Sequence, residues 1–281
     1  MAFNDSDTAA SYTGGTTHAS LRNKVVLLTG IGQSGDASMW GNGAATARVL
    51  CASGAVVFGC DMRLAAAEAT RDRLRREFGP GCCDVVAADV QALVAKALER
   101  HGRVDVLVNN VGLSQKGGPV DMAEEVWDAQ VDVNLKSVFL CCHYVLPVME
   151  KQGSGVVINI SSIAGLRYIG KPQVAYSATK AAVIQFTKAT AVLYADKGIR
   201  MNVVVPGLMN TPLVAVLAQK YAGGDLEGFV KTRHAQVPMG RMGTSFDVAN
   251  AAAFLISDAA KYITGHELVV DGAITCSTGR P

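Results

Sequence analysis

Seven short apolar runs, spaced by helix-length segments, constrain this chain more than any other feature. They are 24–29 (KVVLLT), 55–60 (AVVFGC), 84–89 (DVVAAD), 104–109 (VDVLVN), 155–161 (GVVINIS), 200–205 (RMNVVV) and 267–270 (ELVV). Most are apolar throughout instead of alternating, as strands are when helices cover both faces of the sheet. Helical patterns fall between them at about 43–53, 64–78, 91–101, 123–151, 176–197 and 245–257. Several close on a glycine or a turn cluster, as at Ser53-Gly54, Phe78-Gly79-Pro80, His101-Gly102 and Lys197-Gly198. The alternation predicts an α/β fold: one doubly wound parallel sheet with helices on both faces. Residues 23–281 form this single domain, residues 1–22 a flexible tail, and 207–244 an insertion that closes over a substrate.

Hydrophobic residues make up 49% and charged residues 18% of the chain, enough apolar side chain for a buried core. The formal charge is +2 and no Lys/Arg block occurs, so neither a nucleic acid nor a lipid surface is expected as partner. The basic stretch Arg71 to Arg76 reads as a solvated helix face. No apolar run approaches a membrane span, and the polar first twenty residues lack the apolar centre of a signal peptide. Seven cysteines, an odd number without C-x-x-C spacing, point to a reducing compartment. A cytoplasmic location is expected. No His/Cys/Asp/Glu grouping has metal-ligand spacing, so no metal is expected.

The first strand runs into Thr29-Gly30, and Gly41-Asn42-Gly43 opens the first helix. Glycines at a strand-to-helix turn let a pyrophosphate approach the unpaired N–H groups of a helix N-terminus. Asp61 ends the second strand eighteen residues after Gly43, where a carboxylate accepts the adenosine ribose hydroxyls and repels a 2′-phosphate. Arg63 blunts that preference, so NAD is favoured and NADP stays open. Between Gly30 and Gly41 lie ten residues. Within them Gln33, Ser34, Asp36 and Ser38 are candidates to meet phosphates or cap the helix. Met39-Trp40 is expected on the sheet edge, and Asp36 is expected to point outward.

A second cluster comprises Ser162, in INISSIAG (158–165), and Tyr176 and Lys180, in YSATK (176–180). Four residues apart at a helix start, Tyr176 and Lys180 share one face. An ammonium beside a phenol favours the phenolate, which makes Tyr176 a candidate general acid/base for a carbonyl/alcohol couple. Ser162 is placed to hydrogen-bond the substrate oxygen. Asn134 is a polar residue in an apolar helical stretch.

These residues resemble the short-chain dehydrogenase/reductase family, near its β-ketoacyl-carrier-protein reductases, over about 23–272. Asp89-Val90, Asn109-Asn110-Val111-Gly112, Asn159 to Ser162, Tyr176 with Lys180, Pro206-Gly207 with Thr211, and Val270-Asp271-Gly272 carry the resemblance. It implies a Rossmann-type domain acting on a secondary alcohol or ketone with NAD(P). Tyr176 would be the acid/base, Lys180 would hold the nicotinamide ribose, Ser162 would orient the carbonyl, and Asn134 would anchor a relay water. Asp89 and Val90 would meet the adenine and Asn110 the ribose region, while Pro206, Gly207, Met209 and Thr211 would border the nicotinamide. The first turn departs from the family by seven extra residues.

Ser114, Gln115, Ile163, Arg167-Tyr168 and Leu208 to Val216 are candidate substrate-wall residues, mostly apolar, with Arg167 a candidate for an acidic group. Two other readings stay open: an imine or enone reductase, and a catalytically silent NAD(H) sensor. The resemblance also implies a homotetramer or homodimer paired through the long helices near 123–151 and 176–197.

Overall fold

The computed structural model describes residues 18–33, 35, 36, 38–87 and 90–278. The first half runs β1 (Val25–Thr29), α1 (Asn42–Ala52), β2 (Val56–Cys60), α2 (Leu64–Phe78), β3 (Cys83–Val86), α3 (Val90–His101) and β4 (Val106–Asn109). It continues through α4 (Glu124–Val131), a π-turn (Asp132–Lys136), α5 (Ser137–Gln152), β5 (Gly155–Ile160), α6 (Val174–Tyr194) and β6 (Ile199–Pro206). The remainder is β7 (Met209–Asn210), α7 (Leu213–Tyr221), α8 (Leu226–Ala235), β8 (Gly243–Thr244), α9 (Ser245–Ile256) and β9 (Glu267–Val270).

Seven strands form one parallel sheet in the order β3-β2-β1-β4-β5-β6-β9. Successive side chains on a strand point to opposite faces, so each apolar strand feeds two cores. Val26 and Leu28 enter a cluster with Ala45, Leu50, Leu74, Phe246 and Leu255 from α1, α2 and α9. Leu27 enters the opposite cluster with Leu93, Cys141, Val145, Met149 and Val183 from α3, α5 and α6. Burial of each such Val, Leu or Ile contributes roughly 1.5–3 kcal/mol, which explains the lack of polar alternation in the strands.

Register sets up the site. Thr29 pairs with Cys60 on one side and with Asn109 on the other, and Asn109 pairs with Asn159. Four strands therefore end level, and the residues that follow them emerge along one edge. Strand order reverses between β1 and β4, the place where an open α/β sheet leaves a crevice beyond its carboxyl ends.

Some expectations change. His18 to Arg22, expected as tail, docks on the domain: Leu21 is buried, the His18 N–H donates to Ser53 Oγ, and the Asp258 N–H donates to Ser20 Oγ. The third strand spans Cys83–Val86, and Asp89 lies outside the described residues. The helix expected at 123–151 is continuous, but it contains a π-turn. By length and mean hydropathy (29 residues, 1.2) this Glu124–Gln152 helix passes for a membrane span. Its buried Val138, Cys141, Val145 and Met149 pack on the sheet instead, and its outer side carries an Asp132–Lys136 ion pair. The segment 207–244 is more regular than expected, holding α7, α8 and a two-strand ladder, β7-β8. All seven cysteines are free.

Candidate active site

The crevice begins at Gly30, whose φ of 70° suits glycine. Its N–H donates to the Cys60 carbonyl at 2.8 Å, and its carbonyl accepts from Asn110 Nδ2 at 3.0 Å. Thr29 Oγ1 receives the Asn110 N–H at 3.1 Å, tying the ends of β1 and β4 together. Gly43 packs so closely that a Cβ there would stand 2.1 Å from the Gly30 oxygen. Because both walls of that contact are backbone, no side chain can be accommodated without moving the turn. Gly41 caps α1 with extended backbone and no side-chain hydrogen bond, so the first helical N–H groups face the crevice. Asn42 Oδ1 is buried there without a protein partner among the described residues.

The inserted residues form a loop that fastens itself. Gln33 Oε1 accepts the Gly41 N–H at 2.9 Å, while its Nε2 donates to the Met39 carbonyl at 3.1 Å. Gln33 thus holds the loop closed instead of reaching toward a phosphate. Asp36 points outward as expected, accepting the Ser38 N–H at 2.8 Å. Ser34 lies outside the described residues. Trp40 corrects the sheet-edge expectation: it is buried between helices, edge-on to Phe246 of α9, with the Arg73 guanidinium 3.4 Å from its ring centre. Gly35 reaches across to Pro212, just before α7.

Asp61 Oδ2 accepts the Gly32 N–H at 3.1 Å, and Oδ1 accepts the Arg63 N–H at 2.9 Å. Both bonds orient the carboxylate and leave further lone pairs open. Val90 begins α3, half-buried against the sheet. Across the crevice, the Gly207 N–H donates to the Val270 carbonyl at 2.9 Å, and a Cβ on Gly207 would stand 2.6 Å from that of Asp271. Pro206 ends β6, Met209 pairs with Gly243 in the small ladder, and the Thr211 carbonyl accepts the Val214 N–H at 2.9 Å.

Ser162 Oγ accepts the Ala164 N–H at 3.2 Å, and its hydroxyl lies near enough to the Tyr176 phenol to influence it. Burial holds the phenol above its ordinary value, and the neighbouring Ser162 hydroxyl pulls it down. The lowering influence is therefore Ser162, where the sequence pointed to Lys180. Lys180 lies one helical turn on, with Nζ 5.8 Å from the Tyr176 ring centre and donating to the Ile160 carbonyl at 2.9 Å. It is 3% exposed, and burial pushes its ammonium down to about 8. Asn134 sits in the π-turn, a distortion that turns its side chain out of the helical register. Its Oδ1 accepts the Leu113 N–H at 2.7 Å, and its Nδ2 donates to the Leu113 carbonyl and to Thr179 Oγ1. Lys180 Nζ and Asn134 Oδ1 both flank Gly112, at 3.4 and 3.7 Å from where a Cβ would be. All four residues thus converge at the ends of β4 and β5.

Sequence reasoning missed the supports. Thr179 orients Asn134, and Ser161 Oγ donates to the Lys180 carbonyl at 2.8 Å. Thr179 and Ser161 adjoin the motif residues, which is the signal that pointed to them. Among the wall candidates, Ser114 Oγ accepts from Gln173 Nε2 at 2.6 Å, and the Gln115 N–H donates to Gln130 Oε1. Ile163 is buried. Arg167 is tied to the carbonyls of Ile274 and Ser277, so it is occupied by the C-terminal segment instead of an acidic group. The described residues hold no His/Cys/Asp/Glu group of three able to bind a metal.

The glycine-lined turn leaves room that any Cβ would fill, and it presents an orphaned Asn42 oxygen, so the residues present fit a dinucleotide. A family model described as enoyl-(acyl carrier protein) reductase matches residues 35–275. The chain is 35% identical to the 3-oxoacyl-(acyl-carrier-protein) reductase of Thermotoga maritima, covering 90% of this chain and 98% of that one. It is 37% identical to a cyclohexanol dehydrogenase of an Acinetobacter species, over 90% and 95% of the two chains. A crystal structure of a putative short-chain dehydrogenase/reductase from Burkholderia xenovorans superposes with a TM-score of 0.86 at 44% identity, covering 93% of this chain and 99% of that one. The chain belongs to the short-chain dehydrogenase/reductase family of NAD(P)-using oxidoreductases.

Proposed function

We propose that this chain interconverts a secondary alcohol and its ketone, with Tyr176 as the general acid/base. The observation that carries the reading is the Tyr176 phenol beside Ser162, with the buried Lys180 Nζ 5.8 Å from its ring centre. When bound, a nicotinamide dinucleotide supplies the hydride donor or acceptor. Ser162 holds the substrate oxygen, and Tyr176 takes the alcohol proton in one direction and returns it in the other. Lys180 has one acceptor among the described residues, the Ile160 carbonyl, which leaves ammonium protons for ribose hydroxyls. Asn134 fixes the Leu113 backbone beside Lys180, so the ammonium keeps its place through the cycle.

For cofactor choice we favour NAD, because Asp61 is held at the end of β2 by two backbone N–H groups. A fixed carboxylate accepts ribose hydroxyls and repels a 2′-phosphate. The dehydrogenase and reductase relatives suit an alcohol/ketone couple, and the complete catalytic set disfavours a silent sensor. We also expect the chain to assemble as a homodimer or homotetramer, since α5 and α6 leave Phe139, Val192 and Leu193 exposed.

The test is a panel of cyclic and linear secondary alcohols and their ketones, with an enone and a cyclic imine, each offered with NAD(H) and NADP(H). Turnover of alcohols and ketones, faster with NAD(H), supports the reading. Turnover of the enone or imine alone, or tight NADH binding with no turnover, overturns it.

A further inference from the structure

Beyond the catalytic side chains, one edge of the crevice gathers cations from three separate elements. Lys116 follows the wall residues Ser114 and Gln115. Lys171 lies on the segment between Ser162 and Tyr176. The two segments are stitched together: the Gly117 N–H donates to the Pro172 carbonyl at 2.8 Å, the Val174 N–H to the Gly117 carbonyl at 3.3 Å, and Gln173 Nε2 to Ser114 Oγ at 2.6 Å. Arg233 comes from α8, in the insertion that follows β6. The neighbouring α7 brings Tyr221 against Lys116, whose Nζ is 3.7 Å from the ring centre, and Lys220 approaches the same ring at 5.3 Å.

Among the described residues no acid pairs with this group. Ten ion pairs occur among the described residues, and none involves Lys116, Lys171, Lys220 or Arg233. Arg233 Nε is buried without a hydrogen-bond acceptor, while its guanidinium lies over the Phe229 ring at 4.9 Å. Burial, then Arg233, then Lys116 push the Lys171 ammonium down to about 8, so these cations sense one another. A half-buried guanidinium whose Nε has no acceptor, beside two lysines, costs free energy. An oxyanion would relieve that cost, accepting from the guanidinium fork and both ammonium groups.

We propose that Lys116, Lys171 and Arg233 form an anion subsite that holds a carboxylate or phosphate at the far end of the substrate. This deepens the alcohol/ketone reading and rests on it for the identity of the reacting end. The substrate is then amphiphilic: a secondary alcohol or ketone at Ser162 and Tyr176, an apolar body along the wall, and an anionic terminus between α8 and the Lys171 segment. The mostly apolar stretch Leu208 to Val216 is left to meet the body of the substrate.

Binding separates this subsite from the chemistry. The NADH-loaded protein is titrated by calorimetry with cyclohexanecarboxylate, cyclohexyl phosphate and neutral cyclohexanol. The subsite predicts that one of the anions binds about tenfold or more tighter than cyclohexanol, and which of them does so names the group. Arg233→Gln and Lys171→Gln, on different elements, should each erase most of that advantage, while Lys96→Gln on exposed α3 should not. Cyclohexanol affinity should stay within about twofold in both variants and confirm an intact site. Equal binding of anionic and neutral probes by the wild type, or an advantage that survives both variants, overturns the subsite. Failure of every alcohol and ketone to turn over, with the anion advantage present, would instead sink the alcohol/ketone reading and leave the subsite standing.

Discussion

The Gln33 side chain bridges the inserted first turn, accepting the Gly41 N–H at 2.9 Å and donating to the Met39 carbonyl at 3.1 Å. The insertion is therefore a closed loop beside the crevice, and Gly30 and Gly43 meet as they would with a shorter connection. Gln33→Ala removes both bonds and frees Gly41 to move. Cofactor affinity should fall several-fold with little change in kcat at saturating cofactor, since the catalytic residues lie elsewhere. Isothermal titration with NADH measures this, and an unchanged affinity would show that the loop needs no clasp.

Gly43→Ala places a methyl 2.1 Å from the Gly30 oxygen. Neither backbone can retreat cheaply, so the turn must open at a cost of about 1–3 kcal/mol. Loss of most NADH binding, with a native far-ultraviolet spectrum, is expected. Wild-type binding would mean that the two glycines do not form the cradle.

Trp40 joins the insertion to the core through Phe246 and Arg73. Trp40→Ala should destabilise the protein by about 3–5 kcal/mol, measured by urea denaturation. A loss below 1 kcal/mol would show that the Trp40 side chain is dispensable to the core.

Lys180 titrates at about 8 in the folded chain against an ordinary 10.5. Between those values the unfolded chain holds more protons, so the Lys180 contribution to unfolding free energy rises with pH across that window. Subtracting the Lys180→Met variant removes the other titrating groups. The wild-type stability relative to this variant, without cofactor, should increase from pH 8 to pH 10. A flat difference would show that the buried amine keeps its ordinary value.

The strands were legible because covered parallel strands are continuously apolar, and α2 begins and ends at the expected Leu64 and Phe78. Tyr176, Lys180 and Ser162 were legible because they are near in sequence and their chemistry is specific. Asn134 could be named, but its π-turn could not, since one extra residue in a helical turn leaves no periodic trace. Arg73 over Trp40 and the Lys116–Lys171–Arg233 group were invisible for another reason. Their members lie far apart in sequence and meet only through tertiary packing. Arg167 shows the converse, a cation flagged by its position whose guanidinium is taken by C-terminal carbonyls.

Asp61→Ala removes a carboxylate that Gly32 and Arg63 hold in place. NAD should bind about tenfold or more weakly while NADP improves or holds, which is read from the ratio of kcat/KM for the two cofactors. An unchanged ratio would place cofactor discrimination at another residue.

In the proposed reaction Tyr176 moves the substrate proton. The most direct test compares wild type with Tyr176→Phe on the best alcohol of the panel, following NADH formation while NADH affinity is measured separately. A fall in kcat of about 10²–10⁴-fold is expected, with NADH affinity within about twofold of wild type. Wild-type turnover by Tyr176→Phe would contradict that role.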